Sequence, residues 1–267
     1  MRLTRRDFGR LTAGAAFAAA GTIARASGPL GVEYLENLGL PGALPEEAAF
    51  IAPSAIHPAY SHAIYVNCAT SGDGMQKMWV LGRQADGWGL AMSDADDGTN
   101  HAASGYSWLV STGIHYPGDD RSGPTPVGIF NLDERSGRHR TGWGSPGMYK
   151  AIYIDLHYRG GRISGVALHG TTENKYRRLG RADSHGCVRM TQANMDQFWG
   201  LFHPDGARRE DSPQWGEVPR YFTSAVRDSL DTRSGYVRDG SLLSGEDGAV
   251  LTKLGYRAVL VFFRDDQ

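Results

Sequence analysis

Cysteine is nearly absent: the chain holds two, Cys68 and Cys187, among 267 residues. Two cysteines cannot build the disulfide framework on which small secreted domains depend. In an oxidising compartment they can still pair with each other, and such a pair would leave Cys187 no thiol for chemistry. An excess of basic residues is also absent. Lys and Arg number 28 against 29 Asp and Glu, a formal net charge of −1. A nucleic-acid partner needs a basic surface to meet its phosphates, so none is expected. No apolar run is long enough for a stable membrane span. Helical periodicity is scarce, and there is neither an internal repeat nor a low-complexity tract.

What is present begins with an export pattern. The stretch MRLTRRDFGRLTAGAAFAAAGTIARASG opens on Arg2, Arg5, Arg6 and Arg10. A weakly apolar run follows from Leu11 to Ile23, and Ala24-Arg25-Ala26 puts small residues where a signal peptidase cuts. The paired arginines before Phe8 fit the twin-arginine route. Residues 1–26 are therefore expected to be a signal peptide, cleaved after Ala26, that sends a folded protein to the periplasm. No cysteine stands at the cleavage site to carry a lipid, so no stable membrane anchor is expected afterwards. Cleavage removes five arginines and one acid, which leaves the mature chain mildly acidic. About 240 residues remain, enough for one large domain or two small ones.

Residues 27–60 are rich in Pro, Gly, Ala and Glu and read as an irregular lead-in with one short helix. From 61 onward the pattern is one of short β-type runs separated by turn residues: 62–68, 77–83, 106–112, 149–156, 163–168 and 257–263. Aromatic and β-branched residues at strand length predict a mainly β fold, an antiparallel sandwich or barrel. Ser71-Gly72-Asp73-Gly74 is the turn expected between the first two strands. The one clear helix is 191–202, with Thr191 as its N-cap. Residues 203–256 are polar and turn-rich, with weak helical character near 219–230. The acidic stretch 94–100, DADDGTN, lacks the ligand spacing of a calcium loop, with Gly98 at a ligand position and Gly105 in place of the distal Glu. It reads as a surface turn. The basic cluster Arg135, Arg138, His139 and Arg140 reads as a solvated face that could also attract substrate carboxylates.

The chemistry points to DSHGCVRM at 183–190. A cysteine attacks a carbonyl as thiolate, and a free thiol ionises only near pH 8.5, so a neighbouring base is required. His185 is two residues away on the same turn; His169 ends a strand and can approach from a neighbouring one. No Asp or Asn is an evident partner for the base, which leaves a backbone carbonyl near Gly170 to fix its tautomer. Gly186 gives the turn freedom for consecutive N–H groups to face one point, as an oxyanion site needs. Two other readings stay open on local chemistry: Cys187 as a buried apolar residue, and zinc held by His169, His185 and Cys187. Cys68 is expected to be a buried spectator.

HG at 169–170, SHGCVRM at 184–190, STG at 111–113, GPTPVGIF at 123–130 and MYKAIYI at 148–154, in this order, resemble the L,D-transpeptidase catalytic domain family. The resemblance covers about 62–202 with the closing strand RAVLVFF, leaving 203–256 as an insertion within a catalytic domain of 61–267. It implies an L,D-transpeptidase-like β-sandwich with a few short helices and a cysteine acyltransferase without metal or other cofactor. The implied substrates are peptidoglycan stem peptides, with an amine or protein as acceptor. It further implies Cys187 as nucleophile, His169 as base and the Gly170 carbonyl as its orienter. The amides of Gly186 and Cys187, with His185, are the implied oxyanion donors. Ser184 holds the turn, Arg189 is structural or binds a carboxylate, and Tyr149 lines the acyl pocket. Thr125, Pro126 and Gly128 shape a strand. The implied product is a 3–3 cross-link; with water admitted, the same residues give an L,D-carboxypeptidase or an amidase. Acylation of the nucleophile by carbapenems is a further implication.

Overall fold

The computed structural model describes residues 30–45, 50–95, 105–132, 139–156, 164–221 and 242–267. The expected signal peptide lies outside the described residues, as do Arg135, Arg138, most of 94–100 and the segment 222–230.

Twelve strands are described: β1 (His62–Asn67), β2 (Lys77–Gln84), β3 (Gly87–Leu90), β4 (Trp108–Leu109), β5 (Gly128–Asn131), β6 (Arg140–Ser145), β7 (Met148–Tyr153), β8 (Ala167–Gly170), β9 (Val188–Met190), β10 (Trp215–Pro219), β11 (Thr252–Tyr256) and β12 (Ala258–Phe263). The fold is mainly β. One sheet runs β3-β2-β1-β12-β5 with β4 also on β2, a second runs β6-β7-β8-β9, and β10 and β11 form a two-stranded ribbon. The expectation of purely antiparallel pairing is not met. β1 and β12 are parallel neighbours at the centre of the first sheet, and β8 and β9 are parallel in the second.

The central strands are apolar without interruption because both their faces are covered. Ile64, Val66, Leu260 and Phe262 face a core shared with Ile152, Leu168, Val188 and Met190 of the second sheet. Ala63, Tyr65, Val259, Val261 and Phe263 face a second core on the other side of that sheet. There they meet α1 (Val32–Leu38) through Leu35 and Leu38, together with Ile56 and Tyr60. The described part of the lead-in thus packs on the sheet through these residues. Arg83 fastens it by donating to the carbonyls of Ile56, His57 and Tyr60.

α2 (Gln192–Phe202) follows β9 at once. Thr191 Oγ1 accepts from the Asn194 N–H at 3.2 Å, satisfying an amide that the first turn leaves open. Met195, Phe198, Trp199 and Phe202 form the buried stripe that lies on the second sheet. The expected insertion supplies both cores: Trp215 and Tyr256 pack in the first, Val218 and Tyr221 in the second. Between the sheets runs the segment after β4. Ser111 exchanges both backbone hydrogen bonds with Arg189 at 2.9 Å, and Ile114 N–H donates to the Ser184 carbonyl at 2.9 Å. This segment ties the second sheet's edge to the first.

Candidate active site

Parallel pairing of β8 with β9 sets Leu168 beside Val188, His169 beside Arg189 and Gly170 beside Met190. Leu168, Val188 and Met190 face the core. Side chains alternate along a strand, so His169, Arg189 and the preceding Cys187 project from the opposite face. Two short strands therefore place the expected base and nucleophile on the same face.

His169 is only 3% exposed, and its Nδ1 lies 2.8 Å from the Gly170 carbonyl. A carbonyl only accepts, so Nδ1 carries the proton and Nε2 is left as the basic nitrogen. Burial pushes the imidazole down to about 4; the Gly170 hydrogen bond opposes this, and the Arg189 guanidinium adds to it. His169 is therefore a neutral base at ordinary pH. Gly170 has no room for a side chain: a Cβ there would stand 3.0 Å from the Tyr149 ring, 3.2 Å from Met195 Cβ and 3.3 Å from Gln192 Cα. The glycine after the base lets α2 close on the strand end.

Cys187 is half-buried, with Sγ 3.6 Å from the Gly165 carbonyl. It forms no disulfide with Cys68. Cys68 is 1% exposed in the first core, and burial pushes its thiol up to about 12, only partly offset by Arg264.

The loop before Cys187 is stitched from several directions. Ser184 is fully buried; its Oγ donates to the Cys187 carbonyl and accepts from the Gly186 N–H at 3.0 Å. That last bond corrects an expectation. The Gly186 amide is directed into the loop, so in this structure it is not an oxyanion donor. Gly186 serves the turn instead, at φ +135°. Thr125 Oγ1 accepts from Gly113 N–H at 2.8 Å and donates to the Gly186 carbonyl at 3.0 Å. Gly113 is pressed against the same loop, where an added Cβ would lie 2.5 Å from Gly186 Cα and 2.3 Å from the Gly123 carbonyl oxygen. The STG and TPVG segments thus both support the loop before Cys187, a role for Thr125 beyond strand shape.

His185 turns outward. Its ring packs on Tyr116 at 4.7 Å, and its Nε2 lies 3.2 Å from Asp119 Oδ2. The Arg121 backbone N–H, first among several donors, holds the Asp119 carboxyl below its ordinary range. The zinc reading needed His169, His185 and Cys187 to converge. Among the described residues no three His, Cys, Asp or Glu side chains gather into a metal site.

Arg189 Nη1 donates to the Asp183 carbonyl at 2.8 Å and stands 3.6 Å from the Asp183 carboxylate, which Arg178 meets at the same distance. Tyr149 is drawn the other way. Its hydroxyl donates to Asp196 of α2 at 2.9 Å, and Lys150 reaches the same oxygen at 2.6 Å. A register shift between Tyr149 and Ile152 places both on the helix side of β7. Tyr149 therefore clamps Gly170 from the face opposite His169 and does not line an acyl pocket beside Cys187. Tyr153, in register with Ala167, projects on the His169 side. Sequence reasoning passed over it, although the alternation of Ile152 and Ile154 into the core marks Tyr153 as facing away.

Residues 95–208 match the YkuD family model, the L,D-transpeptidase catalytic domain. No curated protein matches the chain. Among solved structures, an L,D-transpeptidase from Mycobacterium tuberculosis H37Rv aligns at 19% identity with a TM-score of 0.33. The alignment covers 53% of this chain and 53% of that one, about half the length of each.

Proposed function

Because residues 95–208 match the L,D-transpeptidase catalytic domain, we propose that this enzyme of the L,D-transpeptidase family is a periplasmic cysteine acyltransferase that forms 3–3 cross-links between peptidoglycan stem peptides. The observation that supports the mechanism is the parallel pairing of β8 with β9, which sets His169 beside Arg189, two residues after Cys187, with Nδ1 of His169 committed to Gly170. The arginine-rich start and the Ala24-Arg25-Ala26 site support export by the twin-arginine route.

Cys187 attacks the carbonyl of the third stem residue, diaminopimelate. A histidine with a pKa near 4 does not hold a resting thiolate, so the thiol proton passes to His169 Nε2 as the sulfur attacks. The oxyanion is met by the Cys187 N–H. His169 then gives its proton to the departing D-Ala amine, and a thioester remains on Cys187. The side-chain amine of a second stem attacks the thioester and the sulfur leaves. One amide replaces another, so no energy carrier is required. The position of the acceptor relative to water decides the product.

Product mass spectrometry tests this. The mature protein, kept reduced, receives a diaminopimelate-containing disaccharide tetrapeptide, with Cys187→Ala alongside. The expected product is a dimer lacking one D-Ala, absent from the variant. Tripeptide without dimer would make the chain a carboxypeptidase. Absence of any Cys187-dependent product would remove the enzymatic reading for this substrate.

A further inference from the structure

The strap that joins the base to the nucleophile, residues 171–183, carries positive charge that the fold does not use. Its 3₁₀ turn spans Glu173–Arg178 and is followed by Arg181. Lys175, Arg177 and Arg181 are all exposed. Among the described residues none of the three is paired with a carboxylate. Arg178 and Arg189 converge on Asp183, which uses up the acid that could have offset the rest. Within residues 171–183 the other acid is Glu173, at the start of the turn. The whole chain is close to neutral, so this local excess is a departure from its average.

The strap is also held in place at three points. Tyr176 Oη accepts from the first amide of α2, Gln192 N–H, at 2.9 Å. Gly180 N–H donates to the Val110 carbonyl at 2.8 Å, and Asp183 N–H to that of Thr112 at 2.9 Å. The backbone that carries its charges is thus a fixed frame that begins one residue after Gly170 and ends at Asp183. Fixing the donors in advance lowers the ordering cost when an anion binds. Guanidinium groups suit planar carboxylates.

We infer that Lys175, Arg177 and Arg181 form a recognition surface for the free carboxylates of the stem peptide, and so determine specificity for carboxylate-bearing over amidated stems. The inference rests on the transpeptidase reading for the identity of the peptide. The sequence also offered Arg135, Arg138, His139 and Arg140 for carboxylate attraction; of these, Arg135 and Arg138 lie outside the described residues.

The test compares the mature wild type with a Lys175→Glu, Arg177→Glu, Arg181→Glu variant, whose changes all lie on exposed side chains. The probes are a diaminopimelate-containing tetrapeptide with free carboxylates and the same peptide amidated. Binding is read by NMR titration, separately from turnover. The wild type is expected to bind the free-carboxylate peptide roughly 10-fold more tightly than the variant does, an advantage that added salt erodes. Both proteins are expected to bind the amidated peptide alike. Equal binding of the free-carboxylate peptide by both proteins, or an equal loss for both peptides, overturns the inference whether or not turnover occurs. Acylation of Cys187 by a carbapenem, followed by intact mass, guards the other side. Normal acylation of the variant shows that its site is intact. Charge-dependent binding without any thioester in the wild type would sink the transpeptidase reading and leave the surface standing.

Discussion

At the residue scale the candidate site is governed by burial of its proposed base. His169 has its imidazole lowered to about 4, so its basic form persists far below neutrality. The acid limb of kcat/KM is therefore expected near pH 4 rather than near the 6.5 of an exposed histidine, as a pH–rate profile would show. The same shift acts on stability. The unfolded chain protonates His169 near 6.5 while the folded chain resists until about 4, so stability is full above 6.5 and falls as pH drops between these values. The loss is roughly 3 kcal/mol at most. Urea melts across this range should show the slope in wild type and a shallower one in His169→Gln. The two thiols should also part company. Ellman's reagent is expected to titrate Cys187 in the native protein and Cys68 only after denaturation, because Cys68 is buried and hard to ionise. Glycines offer a paired test. Gly113→Ala drives a methyl into backbone on two sides and should cost about 3 kcal/mol or more along with activity. Gly200→Ala, on α2 with open space around it, should instead stabilise by about 0.5–1 kcal/mol. The hydrogen bond between His169 Nδ1 and the Gly170 carbonyl was legible because the two residues are adjacent in the motif. The Gly186–Ser184 bond, the outward turn of His185 toward Asp119, and the helix-side placement of Tyr149 were not, since each depends on a partner or a bulge that no local pattern announces.

At the scale of elements, what could be read was what local chemistry dictates alone. β1, β2, β7, β12 and α2 fall where apolar runs and a capping threonine put them. β3, β6 and β11 were missed: GWGL, RTGWGS and TKLGY are glycine-bearing, polar or exposed, and they are strands only because a partner pairs with them. The run at 106–112 shrinks to the two residues of β4 because its remainder leaves β2 to bond with β9 and the nucleophile loop. The parallel pairings are invisible to periodicity, which reports which face is buried but not the neighbour's direction. α2 gives a clean check on the local part. Thr191→Ala removes the cap and should cost about 1 kcal/mol in thermal or chemical melts, with Thr191→Asn retaining most of it.

For the whole molecule, the boundaries drawn from composition are too sharp. The lead-in and the segment 203–256 read as additions to a catalytic unit, yet both fill cores. Leu35, Leu38 and Tyr60 cover one face of the central sheet beside Val218 and Tyr221. A protein starting at residue 61 is expected to lose cooperative unfolding, and Leu35→Ala within the full chain to cost about 2–5 kcal/mol, both measurable by urea melts with tryptophan fluorescence. The parallel neighbours at the middle of the sheet have one more consequence. β1 is made first among the described strands and β12 last, so the sheet's centre stays open throughout synthesis. On the proposed twin-arginine route, which carries folded cargo, completion of β12 becomes the ticket for export. A chain cut short before Ala258 would keep its leader and its motif residues and still be left in the cytoplasm.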